Sequence, residues 1–405
     1  MTRNVDVLIV GGGVVGLAIA IELAADPGLH VTILDKGGPG GGASGRSAGV
    51  ICRHDQGPSY QRLSLIGHAR MKQLARERGL TFNTWGHLEI HRGDAGAPNR
   101  DRFADQFRAA PSGMYESEVL DRASTLKRFG WLAAPGVTGS VFQPHIGFID
   151  PFELIDLYRA MLSDLPNVHL AYGTPVFGFE SDGDRITRVL GRRGPWAPGV
   201  VINASGAWGA KVAKLAGARL ELTPQRVNVA FSTDYDERRM PLHGVAGMSW
   251  EGAGVWARGE VGGGTIFGQH RDLTDPDQPS VDPDHVDTTT DAEFVTRLAP
   301  IVGDLYRTPA GSVLPGWTCV YDTTPDGFPL LGRDAAVDNL IHAVGMNGHG
   351  MTIHPGVARS IAELVRSGSL RVDISDVMPW PDELDITELR PSRFDEGASL
   401  KIGQH

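Results

Sequence analysis

The sequence predicts an α/β protein in which a Rossmann-like dinucleotide-binding domain is joined to an α+β domain built on an antiparallel sheet. Three observations carry this prediction. A short apolar run opens the chain and passes through a glycine-rich turn into an apolar helix. Glycine recurs in clusters at 11–16, 37–49, 262–268 and 345–350, 53 in 405 residues, about twice the ordinary usage of roughly 7%. Between the clusters, Leu88–His91, Val227–Ser232 and Thr265–Gln269 alternate in the manner of half-buried strands.

Residues 5–10, VDVLIV, read as a buried strand and residues 14–25 as a helix that is apolar nearly all round. The turn between them is Gly11-Gly12-Gly13-Val14-Val15-Gly16, the G-x-G-x-x-G pattern in its required setting. Gly11 permits the tight turn, Gly13 lets phosphate reach backbone amides, and Gly16 lets helix and strand pack closely. The helix start at Val14 and Val15 then offers free N–H groups and a positive dipole end to a pyrophosphate. A second strand, 30–34, ends at Asp35 and Lys36, 19 residues after Gly16. An acid at that distance is expected to accept a hydrogen bond from a ribose hydroxyl. The motif establishes a dinucleotide site without choosing the dinucleotide.

Further along, residues 40–53 hold a Gly/Ser-rich loop containing Ser44, Gly45, Arg46 and Ser47. Pro151 opens a helix at 151–164, a position where its missing N–H costs nothing. A strand at 200–203 runs into Ala204-Ser205-Gly206-Ala207-Trp208, and a turn at 345–350 precedes a helix at 355–367. Residues 271–284 are polar and proline-rich and read as a surface loop.

The net charge of −10 argues against a nucleic-acid partner. No apolar stretch is long and uninterrupted enough to span a bilayer. Two cysteines, Cys52 and Cys319, exclude a disulfide scaffold and, with no cleavage-site pattern in the opening residues, predict a cytoplasmic protein. The fourteen histidines show no metal-ligand pattern, so no metal is expected.

In combination these segments resemble the D-amino-acid oxidase superfamily of FAD enzymes. Gly147-Phe148-Ile149-Asp150-Pro151 resembles its G-x-x-D-P segment, and Ala204–Trp208 its A-x-G-A-W turn. Thr324–Gly332 resembles T-P-D-x-x-P-x-x-G, and Gly345–Gly350 resembles G-x-x-G-H-G, whose amides face the flavin in that superfamily. The run Cys319-Val320-Tyr321-Asp322-Thr323-Thr324-Pro325-Asp326 is most similar to the monomeric sarcosine oxidase and pipecolate oxidase group. Arg390–Phe394 is similar to a terminal Arg-Pro-x-Arg-Phe segment.

The resemblance implies an FAD-binding domain from 1–85, 145–225 and 310–390, a substrate domain from 86–144 and 226–309, and a C-terminal tail at 391–405. It implies FAD contacts from Gly11, Gly13, Val14, Val15, Gly16, Asp35, Lys36, Ser44, Gly45, Arg46, Ser47, Val176, Ala204, Gly206 and Trp208. Gly345, Asn347, Gly348, His349, Gly350, Met351 and Thr352 would complete the set, and Cys319 would bond covalently to the flavin. The resemblance to that group implies oxidation of a C–N bond in an amino acid or related amine, secondary or cyclic in type, to an imine. Arg53 would grip the substrate carboxylate, as a guanidinium can with two parallel hydrogen bonds. His270 and His349 would sit on the substrate side, where a histidine can hydrogen-bond and titrate.

Two positions depart from that group. Thr352 and Ile266 stand where it carries lysines, one holding the carboxylate and one promoting reaction with oxygen. A fixed cation stabilises charge developing on oxygen, so its loss leaves the electron acceptor open between oxygen and another species. The alternative reading is an FAD-dependent dehydrogenase of a hydroxy acid or amine. Arg53, His270 and His349 argue against a flavoprotein without catalysis.

Overall fold

The computed structural model describes residues 2–52, 57–93, 101, 116–133, 135–233, 241–245, 255–269, 279–306, 312–378, 382–398 and 400. The strands used below are, in chain order, β1 Arg3–Val10, β2 Val31–Leu34, β3 Val50–Ile51, β4 Phe82–Asn83, β5 His87–Arg92, β6 Glu118–Asp121, β7 Val137–Gln143, β8 Gly147–Ile149, β9 Val168–Ala171, β10 Val176–Asp182 and β11 Arg185–Gly191. They continue with β12 Gly194–Asn203, β13 Thr223–Ser232, β14 Leu242–Val245, β15 Val255–Gly259, β16 Thr265–Gln269, β17 Val313–Thr323, β18 Leu330–Arg333 and β19 Leu340–Val344.

The first sheet is the dinucleotide fold. Its parallel core runs β9-β2-β1-β12-β19. Antiparallel β18 flanks β19, and the β10–β11 hairpin attaches to the start of β12. Every residue of β2 and the last four of β1 are buried, as expected for parallel strands covered on both faces. The first helix, Val14–Ala24, lies against the terminal helix, Gly350–Ser367, which also crosses the helix Pro58–Arg78. Glycine makes that second crossing close: a Cβ on Gly67 would lie 1.8 Å from the Thr352 carbonyl oxygen.

The terminal helix begins at Gly350, five residues before the expected start at 355. Pro355 lies inside it and lacks the N–H that would normally bond Met351 O. The ring of His354 takes over, with Nδ1 at 2.9 Å from Met351 O. A carbonyl can only accept, so Nδ1 carries the proton. Nε2 therefore accepts from Tyr158 Oη at 2.9 Å. A histidine thus carries the helix through its proline.

The second sheet has the order β17-β13-β16-β15-β14-β5-β7-β6. Its pairs are antiparallel except β14 with β5. One face buries Leu88, Ile90, Phe142, Ala230, Ala257 and Phe267 in a core of its own, with the helix Ala292–Leu305. β17 pairs along its length with β13 and lies in this sheet, although residues 310–390 were expected in the cofactor domain. β13 likewise begins before residue 225. The run at 319–326 therefore reaches the 43–48 loop of the first sheet's domain from a strand of the second sheet. The segment expected as a tail is anchored: Arg393 has no exposed surface and pairs with Asp326 at 2.8 Å through Nε and Nη2.

Candidate active site

A cavity of about 400 Å³ runs from the first glycine turn to the start of the terminal helix. Of the residues expected at the cofactor, Gly11, Gly13, Val14, Val15, Asp35, Lys36, Ser44, Ser47, Val176, Ala204, Gly206, Trp208, Gly348, Gly350 and Met351 line it. Gly16, Gly45, Arg46, Cys319, Gly345, Asn347, His349 and Thr352 do not form its wall. Arg53 and His270 lie outside the described residues.

The three motif glycines have different causes. Gly11 has φ +115°, and a Cβ there would lie 2.3 Å from Ala204 O. A Cβ on Gly16 would lie 2.0 Å from Gly11 O. The chain itself therefore forbids a side chain at both positions. At Gly13 a Cβ would meet only Ser44 Oγ, at 3.0 Å. That position is bare on the cavity side, at the N-terminus of the first helix, where a phosphate would seat. The cradle thus fits a dinucleotide on its shape and donors. Ser44 Oγ accepts from Val14 N at 3.2 Å, so the loop at 40–47 closes on the helix start. Both Asp35 oxygens accept backbone bonds, from Gly12 N and Gly37 N, each at 2.7 Å. Asp35 therefore shapes the two loops as well as facing the cavity.

Beyond Asp35, Lys36 lies over the Trp208 ring, 3.8 Å from its centroid. Asp284 binds Lys36, Trp208 Nε1 at 2.7 Å and Lys211 at 2.6 Å. Burial raises the Asp284 pKa, but Lys211, Lys36 and Trp208 outweigh it and hold the carboxyl well below its ordinary range. Asp284 belongs to the polar segment read only as a surface loop, and nothing in sequence spacing links it to Trp208.

At the other end, the Gly345–Gly350 turn is braced from within. Gly345 has φ +76° and donates to Asp322 Oδ2 at 2.8 Å. Asn347 takes φ +50°, and its Oδ1 accepts from Thr324 N at 2.9 Å. Asn347 and Gly345 thus shape the turn from behind. Burial pushes the Asp322 carboxyl up to about 6 against the backbone donors that lower it. Tyr321 covers Gly348, where a Cβ would lie 2.4 Å from the ring. His349 Nδ1 is 3.0 Å from the hydroxyl of Tyr60, which is fully buried on the second helix. Thr352 is buried, and its hydroxyl donates to Val50 O at 3.1 Å and accepts from Cys52 N at 3.2 Å. It ties the terminal helix to β3. Tyr60 escaped the sequence reading, and Tyr321 and Asp322 entered it only as members of the 319–326 run, because the role of each is silent until the turn is folded.

The second sheet closes over the 43–48 loop with the face opposite its own core. Register puts Trp256, Arg258, Ile266, Cys319 and Tyr321 on that face. Arg258 Nε donates to Ala48 O at 2.7 Å and Trp317 Nε1 to Arg46 O at 2.9 Å. Cys319 Sγ is 4.0 Å from Ala43 O. Burial pushes the Cys319 thiol up to about 12 although Arg46 pulls it down. Ile266, level with Arg258, is 1% exposed. Arg258 is 4% exposed, stacks on Phe148 with Cζ 4.1 Å from the ring centroid, and pairs with Glu260 at 3.0 Å. A charged residue in the apolar strand Val255–Gly259 was the available signal for it.

Residues 6–364 match the family model described as "DAO: FAD dependent oxidoreductase". The chain belongs to the DAO family of FAD-dependent oxidoreductases. Among DAO-family relatives, it is 23% identical over 384 residues to monomeric sarcosine oxidase of Bacillus sp. (strain NS-129), covering 93% of this chain and 96% of that protein. It is 25% identical over 387 residues to glycine oxidase of Geobacillus kaustophilus (strain HTA426), covering 93% and 96%. Its fold is like that of L-proline dehydrogenase from P. horikoshii, with a TM-score of 0.81, 22% identity and coverage of 98% and 99%. Among the described residues, no group of three or more His, Cys, Asp or Glu is arranged to hold a metal, and no helix is long and apolar enough to cross a membrane.

Proposed function

We propose that this DAO-family enzyme oxidises the C–N bond of an amino acid or related secondary or cyclic amine to an imine. The observation that carries the reading is the closure of the second sheet over the 43–48 loop, next to the Gly345–Gly350 turn. It sets a face of side chains as a roof over the loop that lines the cavity. When bound, FAD supplies the two-electron acceptor that takes hydride from the carbon beside nitrogen.

The protein's part is to bind, orient and exclude water. Arg53 is assigned the substrate carboxylate, because a guanidinium fork matches it. Thr352 is not available for that task, since both hydroxyl functions serve β3. His270 and His349 are assigned to the substrate side, with Tyr60 fixing the His349 ring. The glycine turn and Val14–Val15 amides are assigned to the pyrophosphate, and Asp35 to the ribose. Cys319 is assigned a thioether to the cofactor, supported by its place against Ala43 in the loop.

Ile266 favours a second reading for the oxidative half: electrons pass to an acceptor other than oxygen. Its buried apolar side chain supplies no charge at the position where the resemblance implies an oxygen-promoting lysine.

The test is anaerobic mixing of purified holoenzyme with a panel of secondary, cyclic and primary amino acids. Bleaching of the flavin band is expected; a panel that leaves it oxidised would sink the amine reading. Air then follows, and slow recovery of colour is expected. Acid precipitation reads the thioether, since flavin released into the supernatant removes it.

A further inference from the structure

The face of the second sheet that meets the cofactor loop carries another polar cluster, on β5 and β7. Leu88, Ile90 and Phe142 point into the domain's own core. Strand alternation therefore sends His87, Glu89 and Gln143 to the opposite face. Glu89 is level with Gly244, and Gly244 with Trp256, which packs against the cofactor-domain core. His87 and Glu89 thus share a face with Trp256 and Arg258, two strands away, at about 10 Å for strand spacings of about 4.8 Å, and Gln143 lies one strand further.

Its hydrogen bonding is incomplete. His87 Nδ1 meets Gln143 Oε1 at 3.1 Å, and His87 Nε2 is 3.8 Å from Glu89 Oε2, too far for a direct bond. Gln143 is 2% exposed, and its Nε2 has no partner among the described residues. Turning the amide over exchanges the two atoms and still leaves one unsatisfied. An orphaned buried polar atom costs about 1–3 kcal/mol, so its retention points to a ligand. Glu89 and His87 keep 21% and 18% of their side chains exposed, so the cluster is not sealed. Burial raises the Glu89 carboxyl to about 7 and lowers the His87 pKa against the Gln143 hydrogen bond. Above about pH 7 the cluster presents a carboxylate beside a neutral imidazole, with no cation among its three members.

We propose that Glu89, His87 and Gln143 form a subsite for a second, cationic nitrogen at the far end of the substrate, making diamino acids the favoured class. The inference rests on the amino-acid reading above. The carboxylate supplies the counter-charge, about two strand spacings from Trp256 on the same face of the sheet.

The test uses holoenzyme at pH 8 under anaerobic conditions, titrated with racemic ornithine and with racemic norvaline, which lacks only the terminal amine. Binding is read from perturbation of the flavin band. Ornithine is expected to bind about tenfold or more tightly, a difference of about 1.4 kcal/mol. Glu89→Gln should bring the two within about twofold while norvaline affinity and flavin content stay unchanged. Gln143→Met, which keeps the volume, should narrow the gap severalfold. Equal binding by the unaltered enzyme, no binding of either probe, or a preference that survives in Glu89→Gln would each overturn the subsite. Ornithine that binds preferentially while neither it nor any member of the panel above bleaches the flavin would instead sink the oxidation reading and leave the subsite standing.

Discussion

At the scale of single residues, the first glycine turn separates what the chain needs from what a ligand needs. Gly16→Ala forces a methyl into Gly11 O at 2.0 Å, and overpacking of that kind costs about 1–3 kcal/mol. A fall in melting temperature even in the apoprotein is expected. Gly13→Ala meets only a serine hydroxyl, so the apoprotein should melt within about 0.5 kcal/mol of the parent, the range of a benign substitution. Its flavin content should nevertheless drop. Equal thermal cost for the two variants would refute this division. Ile266→Lys addresses the roof: the added cation should speed recovery of colour in air about tenfold or more, as electrostatic stabilisation of developing charge does. The readout is stopped-flow reoxidation of reduced enzyme. Which residues face that roof was only partly legible in the sequence. The glycines and Asp35 announce themselves through spacing to a strand and helix. Arg258, Tyr60 and Asp284 do not, because their roles come from contacts across hundreds of residues or between domains.

At the scale of elements, the terminal helix shows how a side chain can stand in for backbone. His354 is fully buried and donates where Pro355 cannot. Burial holds its pKa down at about 4, against the backbone hydrogen bonds that raise it. It is neutral in the fold and titrates near 6.5 when unfolded. Its contribution is complete above pH 6.5 and is lost as pH falls from 6.5 towards 4, by on the order of 3 kcal/mol. His354→Ala should flatten that part of the stability–pH curve. It should also cost about 2–4 kcal/mol at pH 7.5, since Met351 O and Tyr158 Oη both lose a partner. Urea melts at several pH values measure both effects, and an unchanged slope would dismiss the assignment. Proline in a sequence reads as a helix boundary, which explains the expected start at 355. The rescue by the preceding histidine is visible only once its ring is placed. Other elements were plainer: the strand before Gly11, the helix after it and the Asp150-capped helix Pro151–Ser163 follow from local pattern and capping chemistry.

At the scale of the whole molecule, the end of the chain is pinned to its cofactor turn. Arg393 binds Asp326 through two nitrogens, and the same carboxylate accepts from Phe328 N at 3.1 Å and Thr324 Oγ1 at 3.2 Å. Arg393→Met should destabilise by about 3–5 kcal/mol, because it strands a buried carboxylate. Adding Asp326→Asn should recover part of that loss in a thermal double-mutant cycle. Additive losses would mean that the two groups do not act as a pair. Domain membership was the least legible property at this scale. β17 carries cofactor-side motifs on a strand of the other sheet, and only pairing partners reveal that.

The order β9-β2-β1-β12-β19 has a consequence for how the protein is made. The strand that opens the chain has its neighbours in place only after residue 203, and β12 waits for residues 340–344 to cover its other edge. Parallel pairing of such distant segments is slow, and incomplete sheets of this kind expose edges prone to aggregation. A nascent chain stopped near residue 300 would leave the Val201–Asn203 end of β12 open on one side. Soluble yield should therefore depend on the last quarter of the polypeptide more than on any catalytic group, and on the supply of riboflavin during synthesis, because a ligand that binds only the closed sheet draws the chain toward it.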